Sequence, residues 1–150
     1  MLDMMETDAR FFVGIKALIK NKKNEVLVLK SGPAELKSTM RTTPFWDLPG
    51  GKIRIGEGDM KQTLAREVSE ELGVPKSALK IGSLFDASVS KFKIQHGKKI
   101  PLVLVTFECK LKGASFKLTD EHEKFSWVSL RKAKRMLSIK FNNSFISRLR

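Results

Sequence analysis

Apolar residues fall along this chain in two kinds of pattern, continuous runs and four-residue repeats. Phe11 to Lys20 is apolar and β-branched enough for a strand, Asn21-Lys22-Lys23-Asn24 supplies a turn, and Glu25 to Lys30 reads as a returning strand. The pair is therefore expected to form a hairpin. Ile100 to Leu111 carries Leu102, Val103, Leu104, Val105 and Phe107 in near-continuous array, the mark of a central strand buried on both faces. Lys80 to Ile94 is strand-like ahead of it, with Gln95-His96-Gly97-Lys98 as the turn, and short strands are expected at Phe45–Leu48 and Phe125–Val128. Against these runs, Leu64, Val68 and Leu72 recur every fourth residue and predict a helix with one buried stripe. Asp59 followed by Gln62 resembles a capping box that opens this helix near Met60. Gly73 is its expected stop, and Pro75 prevents continuation. Ser129 is placed to cap a helix carrying Leu130, Ala133 and Leu137, and Phe141, Phe145 and Leu149 suggest a terminal helix packed on the body. Helices mixed with strands define an α/β chain in which helices cover a mixed sheet.

Ser31 to Pro44 resists this reading. It holds 14 residues and two prolines with no clear period, so it is expected to be a long loop. Loops of that length in compact domains tend to be functional, and Arg41 and Lys37 within it are candidates to touch a ligand.

Composition narrows the class. A chain of 150 residues fits one domain spanning 1–150, and it can bury a core without disulfides. The single Cys109 excludes an internal disulfide and fits a reducing compartment. Met1 to Arg10 carries Asp3, Glu6 and Asp8 where a secretory leader needs basic residues. No run approaches the ~18 apolar residues of a membrane span. A cytoplasmic protein without a membrane partner is expected. The net charge of +13 is uneven: residues 1–90 hold 14 basic and 12 acidic residues (+2), residues 91–150 hold 15 and 4 (+11). Such a field favours nucleotides, polyphosphates or nucleic acid, or serves as a solubilising surface. No aromatic-interleaved motif of a nucleic-acid module accompanies it.

The candidate chemistry lies in the predicted helix. Glu67, Glu70 and Glu71 cluster on an arc beside the Leu64–Val68–Leu72 stripe, so the stripe can dock on a sheet while the carboxylates face a cleft. Such a crowd repels itself unless a cation sits within it. Carboxylates are hard ligands suited to Mg²⁺, or Mn²⁺ as a substitute, and Mg²⁺ habitually shares itself with substrate phosphates. Arg66 stands four residues before Glu70 and can hold it. Gly50-Gly51 allows close backbone approach and a carbonyl ligand.

Gly51, Glu57, Arg66-Glu67, Val68, Glu70-Glu71, Gly73 and Val74 together resemble the signature of the Nudix hydrolases, G-x5-E-x7-R-E-U-x-E-E-x-G-U, where U is a bulky aliphatic residue. Eight residues, Gly58 to Ala65, separate Glu57 from Arg66 where the signature has seven. The extra residue falls before the helix and leaves the helical register intact. Trp46-Asp47-Leu48-Pro49 resembles the usual lead-in, and Glu121-His122-Glu123 with Phe125 and Trp127-Val128 a common downstream element. The resemblance implies an α/β/α sandwich around a mixed sheet. It implies hydrolysis of a nucleoside diphosphate linked to another moiety, by water attack on phosphorus. On this basis the metal ligands are Glu67, Glu70, Glu71 and the Gly50 carbonyl. Arg66 orients the glutamates, and Glu57 supports the loop or an outer-shell water. Glu70, Glu71 and Arg66 are counted as catalytic, with Glu121 as first choice of general base, Glu123 as second, and His122 a candidate to act on a phosphate. Lys52, Trp46 and Arg41 are the candidate substrate-binding residues. Nucleoside triphosphates are the expected substrates, with RNA 5′ ends, dinucleoside polyphosphates or a non-catalytic nucleotide-binding module as alternatives. A monomer or homodimer is expected.

Overall fold

The computed structural model describes residues 9–113 and 122–150, and for 122–124 the backbone only. Its centre is two sheets. The first has four strands in the order β4 (Gly50–Lys52), β1 (Phe12–Ile19), β6 (Lys98–Leu111), β5 (Leu79–His96). β1 runs parallel to β6 and every other pair is antiparallel, so the sheet is mixed. The second is antiparallel, with β2 (Val26–Ser31) between β3 (Trp46–Asp47) and β7 (His122–Val128).

The expected hairpin of β1 and β2 does not form. The two strands enter different sheets and meet only at an isolated Lys20–Val26 bridge. Both are interior strands with both faces covered, so each takes two partners from distant sequence and neither is left to pair with the other. Alternate residues sort the layers. Ile15, Ala17, Ile19, Leu27 and Leu29 pack with Leu64, Val68 and Leu72 of α2 (Met60–Leu72). Leu18, Val26 and Val28 pack with Ala133 and Leu137 of α3 (Leu130–Leu137) and with Phe145 of α4 (Asn143–Arg148). Helices thus cover both faces, which is the α/β/α sandwich expected.

Ser31–Pro44 is not structureless either. Pro33–Ser38 forms a short helix, α1, with proline in its first turn. Six residues are too few to show a period, and no side chain caps its start. The β5–β6 pair is the long hairpin expected, turning through Gly97 at φ 71°. Among the described residues no helix is long and apolar enough to cross a membrane.

Candidate active site

α2 is placed by its ends and its stripe. The Asp59 carboxylate accepts the Lys61 and Gln62 N–H groups, and Gly73 closes the helix in the left-handed conformation. With the stripe buried, successive side chains turn by about 100°, and this separates the three glutamates. Glu71 turns toward the sheet and is 4% exposed. Its Oε1 accepts the Gly50 N–H at 2.6 Å. Glu67 stands between, and both line one cleft of about 820 Å³. Glu70 turns outward, its side chain 59% exposed, and pairs with Arg66 at 3.3 Å.

Arg66 is the hub. Its guanidinium reaches Glu57 at 3.1 Å, Glu67 at 3.1 Å and Glu70 at 3.3 Å. Glu57 also accepts the Arg54 N–H at 2.9 Å and the Thr63 hydroxyl at 3.0 Å. The residue added after Glu57 therefore does not detach it. The Arg54 N–H first, then the Arg66 and Thr63 bonds, hold its carboxyl below the usual range. Burial, and then the charges of Glu71 and Glu70, push Glu67 upward, with Arg66 opposing.

The two glycines of the motif have different reasons. Gly50 has φ 147°, and a Cβ there would fall on the Ile15 carbonyl, 2.9 Å from its carbon. A Cβ on Gly51 would fall on the Glu67 carboxyl, 2.5 and 2.7 Å from its oxygens. The second glycine is thus a cradle for a carboxylate.

Among the described residues, no three acidic, histidine or cysteine side chains are gathered closely enough to share one ion. The donor set still fits a hard divalent cation. Two half-buried or buried carboxylates face one cleft, one of them destabilised by its like-charged neighbours, and a third lies one helical step away.

The substrate candidates divide. Lys52 lines the cleft with its Nζ 4.6 Å from the Phe12 ring centre. Trp46 packs against the α3–α4 core. Arg41 lies over Phe92 at 4.4 Å, with its buried Nε lacking a hydrogen-bond partner among the described residues. Lys37 is exposed on α1. Glu121 lies outside the described residues, as do the side chains of His122 and Glu123.

Sequence reading missed a charged cluster in the same cleft. Lys16 in mid-β1 reaches Asp47 Oδ2 at 3.0 Å, and Lys140 reaches the same oxygen at 2.5 Å. The two lysines overcome the effect of burial and hold Asp47 far below the carboxylate range. Burial and Lys16 lower Lys140. Lys16 is raised: burial opposes this, but Asp47, Glu71 and Glu35 outweigh it. A lysine centred in an apolar run was the available signal. Lys140 belongs to this cluster and not to the surface field counted above.

An acid-lined cleft beside a Gly-Gly turn on an α/β/α sandwich suits a phosphate-bound hard cation. Residues 10–149 match the NUDIX domain, and the chain belongs to that family. Among solved structures it is similar to the MutT protein of Methanosarcina mazei Go1, at 28% identity and TM-score 0.69, covering 95% of this chain and 94% of that one. A NUDIX hydrolase of Nitrosomonas europaea shares the fold at 17% identity and TM-score 0.66, covering 93% and 86%. An Ap4A hydrolase of C. elegans shares it at 21% and 0.63, covering 92% of each. Comparison with curated sequences returns no match. Pyrophosphohydrolase chemistry, inferred from the signature, is the chemistry of this family.

Proposed function

We propose that this protein, as a single catalytic domain over residues 1–150, cleaves nucleoside triphosphates to monophosphate and pyrophosphate with Mg²⁺, for which Mn²⁺ can substitute. The observation that carries this is the shared cleft, lined by Glu67 and Glu71, by exposed Lys52 and Arg54, and by apolar Phe12, Phe45 and Leu104. Carboxylates suit a phosphate-bound cation, and an apolar slot suits a base. Glu67, Glu70, Glu71 and the Gly50 carbonyl would hold the ion. When bound, it supplies neutralisation of phosphate charge, polarisation of phosphorus and a lowered pKa for the attacking water. Arg66 holds Glu57, Glu67 and Glu70 in fixed relation. Lys52 and Arg54 attract the polyphosphate, and Glu121 takes the proton of the attacking water.

A nucleotide panel with Mg²⁺ in ¹⁸O-labelled water tests this: pyrophosphate release from triphosphates supports it, and failure to cleave any anhydride overturns it. Full activity in Glu71→Gln would remove Glu71 from the ligand set, and a loss under tenfold in Glu121→Gln would remove Glu121 as base.

A second reading, RNA 5′ ends, rests on exposed Lys91, Lys93, Lys98 and Lys99 on the β5–β6 hairpin and Arg131, Lys132 and Arg135 on α3. A steep fall in affinity with salt supports it; a flat response removes it. The Ap4A hydrolase likeness keeps dinucleoside polyphosphates on the same panel.

A further inference from the structure

Leu48 and Pro49 carry the chain from one sheet to the other. Asp47 pairs with Leu29 in the second sheet, and Gly50 pairs with Lys16 in the first. Asp47 to Gly50 are all buried, so the backbone polar groups of this crossing need partners. Four such groups lie here, and each has one. The Leu48 N–H donates to Asp47 Oδ1 at 2.8 Å, and the Leu48 carbonyl accepts from Lys16 Nζ at 3.3 Å. The Pro49 carbonyl accepts the Ala17 N–H at 2.8 Å, and proline has no N–H to satisfy. The Gly50 N–H donates to Glu71 Oε1 at 2.6 Å. Gly50 stands at the ladder position next to the Ala17–Pro49 bond, so its own N–H and carbonyl point away from β1.

Lys16, Asp47 and Lys140 are buried and line the cleft as its floor. Lys16 ties the crossing together. An ammonium has three N–H donors, and that of Lys16 spans Asp47 Oδ2 at 3.0 Å and the Leu48 carbonyl. It thus joins β1 of the first sheet to β3 of the second. Lys140 reaches the same Asp47 oxygen, but among the described residues it makes no bond to Leu48. An apolar side chain at position 16 would leave the buried Leu48 carbonyl unpaired. Charge works in the other direction. Asp47, Glu71 and Glu35 all stabilise the Lys16 ammonium, so a cation arriving at Glu71 meets a like charge in Lys16. We infer that Lys16 is a positioning residue for the cation site: by clasping Asp47 and the Leu48 carbonyl, it fixes the turn that presents Gly50 to Glu71. Gly50 offers a carbonyl ligand and its N–H orients a carboxylate ligand, so both depend on where this turn is held. This rests on the cation reading of Glu67 and Glu71.

Lys16→Met and Lys140→Met remove equal charge from the same Asp47 oxygen, and each leaves one buried lysine paired with Asp47. Only Lys16→Met releases the Leu48 carbonyl. The test is Mn²⁺ binding to the nucleotide-free proteins, read by calorimetry or by the spin resonance of free Mn²⁺. Lys16→Met should bind Mn²⁺ about tenfold or more weakly than Lys140→Met, the size of loss expected when a group supporting metal ligands is removed. A charge effect alone runs the opposite way, because Glu71 is among the main charges acting on Lys16 and not among those acting on Lys140. Equal affinities, or tighter binding by Lys16→Met, overturn the inference. Amide exchange gives a readout that needs neither turnover nor a variant. In the unaltered, cation-free protein the Leu48 and Gly50 amides should exchange slowly. Rapid exchange of either means that the ion orders the turn, and overturns the inference. Faster exchange at both amides in Lys16→Met than in Lys140→Met supports it, and equal rates count against it. If the unaltered protein binds no Mn²⁺, the cation reading falls and this inference with it. If it binds Mn²⁺ and the two variants bind alike, only this inference falls.

Discussion

The adjacent glycines Gly50 and Gly51 should fail in opposite ways when each is replaced by alanine. At Gly51 the nearest atoms the new methyl meets are those of the Glu67 carboxyl, with its oxygens at 2.5 and 2.7 Å. That group is the end of a flexible side chain, so it can move aside with little cost to the fold. It must retreat by about 1 Å to reach ordinary contact, and a displacement of that size in a positioned group costs about 10²-fold in rate. Gly51→Ala is therefore expected to unfold within about 3 °C of the unaltered protein while kcat falls about 100-fold. At Gly50 the methyl meets backbone, the Ile15 carbonyl and Lys16 Cα at 3.0 Å, in a conformation with φ 147°. Strain and overpacking each cost about 1–3 kcal/mol, so Gly50→Ala should lower Tm by about 10 °C or fail to fold. Thermal unfolding and steady-state hydrolysis of the best substrate read both variants. Near-normal activity in Gly51→Ala, or an equal Tm loss in the two, would refute the separate roles.

Arg66→Lys replaces a three-way guanidinium contact by a point charge. It should lower kcat by about 10–100-fold with little change in Tm, and normal turnover would show that Arg66 does not set the glutamates. Leu64→Ala empties a fully buried position under α2 and should cost about 2–5 kcal/mol in denaturant unfolding. Asp47 has a folded pKa below its unfolded one, so its stabilisation is present above about pH 4, the unfolded value, and drains as pH falls toward the folded pKa. The unfolding free-energy gap between the unaltered protein and Asp47→Asn should hold from pH 7 to about 5 and shrink toward pH 3. Burial pushes the Cys109 thiol up to about 12, so a disulfide reagent at pH 8 should label it only after guanidinium unfolding.

What could be read from sequence was what is local. α2, its cap and its stop are specified within Asp59–Gly73, and the Gly97 turn within a few residues. Sheet membership is not local. β1 takes its partners from Gly50–Lys52 and from Leu102–Cys109, and no short pattern distinguishes that from a hairpin. Glu70 shares the acidic arc in sequence, yet one 100° step from Glu71 directs it to solvent. The Lys16–Asp47–Lys140 cluster joins residues 31 and 93 positions apart, which left Lys140 indistinguishable from the surface lysines near it.

Lys140 is held from both ends. Its ammonium meets Asp47, while its carbonyl accepts the Lys91 N–H at 2.9 Å and the Ser90 hydroxyl at 2.8 Å. During synthesis the glutamate helix is complete by Gly73, but the floor of the cleft waits for residue 140. A growing chain thus has its acidic helix long before the cleft has its floor. The floor is made by contacts distant in sequence, whose loop-closure entropy must be met before they form.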